Sequence, residues 1–178
     1  MKIDPSSIIL KPAMLLAVFW SVPFLGQVLA DTSEKQIIGW IERVQILPES
    51  FQLSAKIDTG ADNSSLSIIN PMEFLKGDEK WIRFSIPITA DEAITLERPI
   101  KRFTRIKIKG GASQKRPVIL LDLCVGTILK KDVPVNLADR RRFKYPMLIG
   151  RSFLKDSAIV DSSFTLSQQP SCSAPLAE

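Results

Sequence analysis

Asp58-Thr59-Gly60-Ala61 decides the fold of this chain, together with Met147-Leu148-Ile149-Gly150-Arg151 about ninety residues later. Residues 51–57 alternate between apolar and polar side chains, a period of two that is typical of a half-buried strand. Asp58 therefore stands where a strand ends, and Gly60 supplies a turn that lets another backbone or a ligand come close. A carboxylate on a tight Thr-Gly turn is a candidate for acid–base chemistry. The alternative is an ordinary Asx-type turn at the end of a strand.

The composition excludes several classes of enzyme. The chain has 178 residues, a formal net charge of +5, two cysteines and no histidine. This length suits one domain. Without histidine, a single chain cannot supply a Ser-His-Asp triad, a Cys-His pair or an HExxH zinc site. Acid–base chemistry near neutral pH therefore falls mainly to carboxylates. The mild positive charge does not call for a nucleic-acid partner, and the sequence has no GxxxxGK[ST] phosphate loop for ATP.

The N-terminal thirty residues carry a targeting signal. Two lysines precede the apolar stretch 14–20, and small residues lead up to Ala30. This pattern predicts a secretory signal peptide over residues 1–30, cleaved after Ala30. The open alternative is an uncleaved membrane anchor, because residues 12–30 are nearly long enough to span a bilayer. Either interpretation places the rest of the chain in the periplasm or outside the cell, with membrane association only if the N-terminus is retained.

Many short alternating segments separated by turn residues predict an all-β, barrel-like domain over residues 31–166. Strands are expected at residues 36–47, 51–57, 64–69, 81–88, 103–109, 117–124, 128–137, 147–149 and 158–166. Residues 71–77 are predicted to form a short helix or a loop, and residues 90–99 to be irregular. A short helix is expected to begin at Arg151. Residues 167–178 are predicted to be a disordered tail.

Two local features keep alternatives open. Cys124 and Cys172 can pair in an oxidising compartment, but Cys172 lies in a Ser- and Pro-rich tail, so their pairing stays undecided. The basic run Arg140–Lys144 either meets an acidic substrate or lipid headgroups, or forms a solvated loop.

Taken together, the motifs resemble those of the retropepsins, the half-size aspartic proteases. Within that group the chain is most similar to bacterial proteins labelled ATP-dependent zinc proteases. The similarity covers most of the chain after residue 30 and is carried by residues 38–40, 47–49, 55–61, 64–66, 116–118 and 147–151. Many relatives carry a histidine just after the Ser-Leu pair, where this chain has Ser67. The resemblance implies a closed or partly closed β-barrel with at most one or two short helices. The missing histidine argues against a metal, and no cofactor is expected.

The resemblance also implies an aspartic endopeptidase whose catalytic turn is Asp58, Thr59 and Gly60. Such an enzyme uses two facing carboxylates that share one proton, and a water molecule attacks the peptide bond directly. The chain carries one Asp-Thr-Gly, so a working site is expected in a homodimer that acts on a peptide or protein substrate. Asp161 is the other strand-end carboxylate. It lacks a Thr-Gly turn and is expected to be structural.

Further residues receive supporting roles from the same resemblance: Ala61, Asp62, Gly150 and Arg151. A bidentate pair between Asp62 and Arg151 is expected to hold the turn, at a cost of about 3–5 kcal/mol on losing one partner if the pair is deeply buried. Otherwise Asp62 is exposed and Arg151 only begins a helix. Gly110 and Gly111 form either a flap over the cleft or an ordinary hairpin turn. The alternative function is a non-catalytic β domain that binds a peptide or an envelope partner in the same groove.

Overall fold

The computed structural model describes residues 34–89, 91–107 and 113–172, and in them the chain is mostly β. The elements are β1 (Gln36–Leu47), β2 (Phe51–Ile57), β3 (Ser64–Ser67), β4 (Ile69–Lys76), β5 (Glu79–Pro87), β6 (Ala93–Pro99), β7 (Arg102–Lys107), β8 (Ser113–Val125), β9 (Ile128–Ala138), β10 (Met147–Ile149), α1 (Arg151–Leu154) and β11 (Ala158–Thr165).

Six of the described strands close into a barrel. Their order is β1-β2-β10-β3-β9-β8, and the pairing of β1 with β8 at residues 45–47 completes the ring. The sheet continues beyond β1 into β11 and beyond β8 into β7. The predicted all-β, retropepsin-like closed barrel with at most one or two short helices is therefore confirmed.

The barrel interior is filled by the apolar positions of alternating strands. In β2, Leu53, Ala55 and Ile57 are buried while the polar residues between them are exposed. The same pattern in the other strands supplies a continuous core that includes Ile38, Leu66, Ile119, Val135 and Met147, and Phe153 of α1 packs in the same core. Full burial of one such aliphatic or aromatic side chain stabilises a fold by about 1.5–3 kcal/mol. The core therefore holds β2 and β10, the strands that carry the two deciding motifs.

A separate three-stranded sheet corrects two predictions. Residues 71–77 were expected to be a helix or loop, but β4 includes most of them, and β6 occupies most of the supposedly irregular residues 90–99. The cause lies in β5, where Ile82, Phe84 and Ile86 are almost fully buried. A central strand anchored in the core pairs with chain on both sides, and this tertiary pairing overrides weak local preference.

The C-terminal segment is also more ordered than the sequence indicates. The prediction of disorder from Ser167 is wrong for residues 167–172, while residues 173–178 lie outside the described part. Glu42 is fully buried, and its carboxylate accepts hydrogen bonds from the Ser167 N–H and hydroxyl and from the Gln168 N–H at 3.2 Å. Cys172 forms a disulfide with Cys124 of β8. The Glu42 carboxylate and the Cys124–Cys172 disulfide thus hold residues 167–172 against the barrel, although the Ser- and Pro-rich composition of this segment is typical of a disordered tail.

Two predictions lie outside the described residues. They are the signal peptide or anchor over residues 1–30, and the flap role of Gly110 and Gly111. The antiparallel pairing of β7 with β8 matches the predicted hairpin up to Lys107 and Ser113. In the part of the chain that the structure describes, no helix is long and apolar enough to cross a bilayer.

The disulfide generates a stability prediction. Cys172→Ser should lower the free energy of unfolding by about 2–4 kcal/mol, because the bond constrains the unfolded chain across a separation of 48 residues. Chemical denaturation of the variant and of reduced wild type measures this loss, and the two should agree. A wild type whose denaturation midpoint does not change on reduction would contradict the stabilising role.

Candidate active site

Asp58 directly follows β2 and begins a turn that is stabilised by hydrogen bonds to β10 and within the turn itself. The Asp58 N–H donates to the Ile149 carbonyl at 2.9 Å, and the Ala61 N–H donates to the Asp58 carbonyl at 3.2 Å. The Gly60 N–H donates to Asp58 Oδ1 at 3.0 Å. The Asp58 side chain is 29% exposed. The carboxylate is therefore oriented by its own turn and still reachable from solvent.

Gly150 allows the motif of residues 147–151 to pack closely against the turn that contains Asp58. The Gly150 N–H donates to the Ser64 hydroxyl at 3.2 Å, and the Arg151 N–H donates to the Ala61 carbonyl at 2.8 Å. A Cβ atom added to Gly150 would lie 2.7 Å from the carbonyl carbon and oxygen of Asn63. Real Cβ contacts are longer, so only glycine fits between these backbones. The close approach joins two motifs that are about ninety residues apart in the sequence.

Asp62 and Arg151 meet, but in a form different from the one expected. One guanidinium nitrogen of Arg151 binds Asp62 Oδ1, and the other donates to the Thr59 carbonyl at 2.9 Å. The Asp62 side chain is 79% exposed and the Arg151 side chain is 51% exposed. The pair is therefore not bidentate on the carboxylate and not deeply buried. Arg151 instead bridges the two ends of the turn at its solvent face.

Two cationic side chains interact electrostatically with Asp58. Lys56 Nζ lies 4.0 Å from Asp58 Oδ2, and Arg140 is 8% exposed. Burial lowers the pKa of Arg140, the positive charge of Arg116 lowers it further, and the Asp58 carboxylate acts in the opposite direction. A cavity of about 320 Å³ is lined by these two cations, by Lys144 and by three aromatic residues: Trp40, Phe143 and Tyr145.

The basic run Arg140–Lys144 divides between the site and the solvent. The Arg140 guanidinium lies over the Phe143 ring, 4.5 Å from its centroid. Arg141 turns outward, and its hydrogen bonds to Asp139 lower the pKa of that carboxyl to about 2. The run is neither a uniformly solvated loop nor a uniform basic surface, because Arg140 is buried while Arg141 is exposed.

Three polar residues and one leucine lie in one register row across the sheet. Lys56, Leu148, Ser65 and Asn136 are register partners on four adjacent strands. Register partners place their side chains on the same face. Ser65 and Asn136 are 6% and 7% exposed. Ser65 Oγ, Asn136 Oδ1 and Arg140 Nε have no hydrogen-bond partner among the described residues. Buried polar atoms are normally paired, so these atoms are a group of buried hydrogen-bonding groups without partners among the described residues.

The sequence analysis missed Lys56, Ser65 and Asn136 as members of the site. Lys56 was recoverable, because it precedes Asp58 by two residues on one strand and period-two geometry places the two on one face. Ser65 and Asn136 had no such signal, since they come from separate strands whose register only the barrel defines.

Asp161 is held within its own strand. Its Oδ1 accepts the Ser163 N–H at 2.8 Å and the Ser163 hydroxyl at 2.6 Å, which lowers the pKa of the carboxyl. Its register partner is Gly39 on β1. Among the hydrogen bonds and ion pairs of the described residues, none connects Asp161 to Asp58. These contacts fit a structural carboxylate.

Comparison with known families gives a match over residues 37–171. The matching family model is RimB-like, described as retropepsin-like aspartic endopeptidase RimB. The matched range begins in β1, ends one residue before Cys172 and contains every catalytic and supporting candidate of the site.

Curated relatives are similar over a shorter stretch. A protein named probable α-L-glutamate ligase from Desulfotalea psychrophila is 31% identical over 61% of this chain, and one of the same name from Shewanella halifaxensis is 33% identical over 66%. The matched segment spans about a quarter of each ligase, 24% and 26% respectively.

One solved structure is similar in fold and sequence. The crystal structure of a protein of unknown function from Legionella pneumophila superposes with a TM-score of 0.66 at 33% identity. That match covers 76% of this chain and 100% of the other.

Because the Asp62–Arg151 ion pair faces solvent, we expect only a modest coupling between the two residues in the free energy of unfolding. Asp62→Ala and Arg151→Ala should each destabilise, and the double variant should lose less than the sum by about 0.2–1 kcal/mol, the range for exposed pairs. Arg151→Ala should cost more, because it also removes the bond to the Thr59 carbonyl.

Chemical denaturation of the four proteins measures this coupling. The exposed Arg83–Glu97 pair, which bridges β5 and β6, serves as the matched control. Strict additivity at Asp62 and Arg151, with coupling present in the control, would mean that the two residues do not interact in solution.

Proposed function

Because the chain belongs to the RimB-like family of retropepsin-like aspartic endopeptidases, we propose that it hydrolyses peptide bonds with water activated between two copies of Asp58. The observation that carries the proposal is the Asp58 turn itself. It presents a partly exposed carboxylate whose Oδ1 is fixed by the Gly60 N–H and whose backbone is fixed by β10.

The chemistry follows from two carboxylates a few ångströms apart. Such a pair shares one proton, because both members cannot carry their charge at that distance. The ionised Asp58 takes a proton from water, and the neutral Asp58 donates its proton to the scissile carbonyl oxygen. Water attacks the carbonyl carbon to give a tetrahedral diol without an acyl-enzyme. The C–N bond then breaks as the Asp58 that took the water's proton passes it to the leaving nitrogen, so the proposed mechanism needs no histidine, metal or nucleotide.

A homodimer is the assembly that this mechanism requires. The chain contains one Asp-Thr-Gly, and Asp161 is tied to Ser163 rather than directed to Asp58. A second copy related by a two-fold axis would bring the same carboxylate to the opposite side of the substrate.

The charges around the turn favour a substrate with an acidic side chain near the scissile bond. Lys56 and Arg140 line one cavity beside Asp58, and Arg140 Nε and Ser65 Oγ are unpaired buried groups among the described residues. Hydrogen bonds from charged donors to a carboxylate are worth about 1.5–3 kcal/mol. Two relatives named as glutamate ligases agree with a glutamate-bearing substrate. The match spans only about a quarter of each ligase and therefore gives no support for ligation by this chain.

The site of action is proposed to be the periplasm or the cell exterior. The apolar N-terminal stretch within residues 1–30 supports export. The Cys124–Cys172 disulfide supports it too, because such bonds persist in oxidising compartments.

Asp58→Asn tests the catalytic assignment. Asparagine keeps the Oδ1 that accepts the Gly60 N–H but removes the ionisable acid, so peptidase activity should fall by at least about 10²–10⁴-fold with an unchanged melting temperature. Cleavage of a peptide library by both proteins measures the loss. Asp161→Asn is the matched control and should keep full activity. An active Asp58→Asn protein would contradict the protease assignment.

Substrate charge tests the acidic preference. Peptides with Glu next to the scissile bond should be cleaved with a higher kcat/KM than the same peptides with Gln. Lys56→Gln or Arg140→Gln should reduce that Glu-to-Gln ratio by about tenfold or more. Because the ratio compares two substrates of the same variant, a general loss of activity cancels from it.

Arg142→Gln is the control for this test, because Arg142 is an exposed cation of the same run that does not line the cavity. A Glu-to-Gln ratio near one in wild type would contradict the preference while leaving the peptidase intact.

A further inference from the structure

A cavity of about 700 Å³ lies where the three-stranded sheet meets the barrel. Its lining runs from the start of β5 and the end of β6 through the link into β7, and it adds one residue each from β8 and β9. We name it the β6–β7 cavity. It is larger than the cavities that contain Lys56 and Thr59, and it shares no lining residue with either. It is therefore separate from the candidate active site, and its volume is in the range that holds small organic ligands.

The link between β6 and β7 forms a fixed wall of this cavity. The Ile100 N–H donates to the Lys80 carbonyl at 2.8 Å, and the Lys101 N–H donates to the Val118 carbonyl at 2.9 Å. The first bond ties the link to the three-stranded sheet, and the second ties it to β8 of the barrel. Paired backbone on both sides therefore sets the shape of the cavity.

Three cations of the lining are available to a ligand. Lys80, Lys101 and Arg102 are exposed, and they form no ion pair with a carboxylate of the described residues. They come from two separate segments of the chain, so the positive charge surrounds the cavity rather than lying on one strand. The fourth cation of the lining, Arg98, is bound by Glu49.

The acidic residues of the lining do not balance these cations. Glu79 and Asp132 are the two carboxylates that line the cavity. Glu79 accepts a hydrogen bond from the Trp81 indole N–H at 3.3 Å. Neither carboxylate forms an ion pair with a cation of the described residues. Three unpaired cations against two carboxylates leave the cavity positively charged.

The sequence concentrates positive charge in this part of the chain. Between Glu97 and Asp122 it contains eight lysines and arginines and no acidic residue, whereas the rest of the chain after residue 30 has more acidic than basic residues. The segment therefore supplies no acidic neighbour of its own that could neutralise the cations of the cavity, and an anionic ligand is the complementary partner.

The other lining residues are apolar. Ile100, Phe103 and Leu120 are half-buried, so each presents part of its side chain to the cavity. The Nζ of Lys115 lies over the Phe103 ring, 3.8 Å from its centroid, which adds another positive charge at this wall. An apolar or aromatic body placed against these side chains would remove apolar surface from water, which favours binding.

We propose that the β6–β7 cavity binds an organic phosphate, a phosphate monoester carried on an apolar or aromatic body. The phosphate group would be held by Lys80, Lys101 and Arg102, and the body would lie against Phe103 and Leu120. A phosphate monoester carries nearly two negative charges and three acceptor oxygens at neutral pH, so it matches three cations better than a carboxylate does. The site does not involve Asp58, and it is independent of the proposed peptidase activity.

Four probes test the chemistry of the ligand by calorimetric titration of the full chain at pH 7. The wild type should bind 1-naphthyl phosphate at least tenfold more tightly than inorganic phosphate, which lacks the apolar body, and than 1-naphthol, which lacks the charge. 1-Naphthoate should bind more weakly than 1-naphthyl phosphate, because it carries a single charge. The Asp58→Asn chain should bind 1-naphthyl phosphate as the wild type does, so a failure of the peptidase proposal leaves this inference standing.

Arg102→Gln tests the location of the site. It should raise the dissociation constant for 1-naphthyl phosphate at least about threefold and leave that for 1-naphthol unchanged. Arg43→Gln is the matched control, because Arg43 is an exposed arginine on β1 that does not line the cavity. If circular dichroism shows that Arg102→Gln is unfolded, Lys80→Gln gives the same test from β5.

Three results would overturn the inference. The first is a wild type that binds 1-naphthyl phosphate no more tightly than inorganic phosphate or 1-naphthol. The second is equal affinity for 1-naphthoate and 1-naphthyl phosphate, which would contradict the phosphate assignment. The third is an equal dissociation constant for 1-naphthyl phosphate in folded Arg102→Gln, Lys80→Gln and Arg43→Gln, which would place the bound probe elsewhere.

Discussion

The contact of Gly150 with the backbone of Asn63 is the constraint on which the rest of the site depends. The two segments are so close that a side chain on Gly150 would meet carbonyl atoms at 2.7 Å. Because they touch, the hydrogen bonds from Asp58 to Ile149 and from Arg151 to Ala61 can form. These bonds define where the Asp58 carboxylate points. The surrounding barrel supplies the rigidity, since β10 lies between β2 and β3 and pairs with both. Rigid strands position catalytic groups more accurately than free loops do.

Much of this arrangement could be predicted from sequence, for physical reasons that differ from element to element. The alternation of β2 and the glycines of the two motifs identify the strand, the turn and the partner segment, because these signals are local. The sheet of β4, β5 and β6 was missed in part, because β4 and β6 are strands only by pairing with the buried β5. The order of residues 167–172 was missed because it depends on Glu42, which is distant in sequence and buried only in the folded chain.

The electrostatic character of the site was the least predictable property. Lys56 lies on β2 and Arg140 in the segment after β9, and both interact electrostatically with Asp58 although they are distant in the sequence. The run that contains Arg140 looks uniformly basic, yet folding buries one arginine and leaves its neighbour paired with Asp139 at the surface. A buried cation near the proposed catalytic carboxylate imposes a requirement on the ligand, because an unpaired buried charge is costly. The proposed substrate preference therefore depends on tertiary structure, whereas the proposed catalytic group is identified by a four-residue motif.

The central claim is that one active site contains Asp58 from two chains. The most direct measurement mixes wild type with increasing amounts of Asp58→Asn chain, allows the subunits to exchange, and records peptidase activity per wild-type chain. If both carboxylates are needed, mixed dimers are inactive, and an equal mixture should show about half the activity per wild-type chain of the unmixed enzyme. Activity per wild-type chain that stays constant through the whole titration, with subunit exchange verified, would show that one chain suffices and would contradict the account.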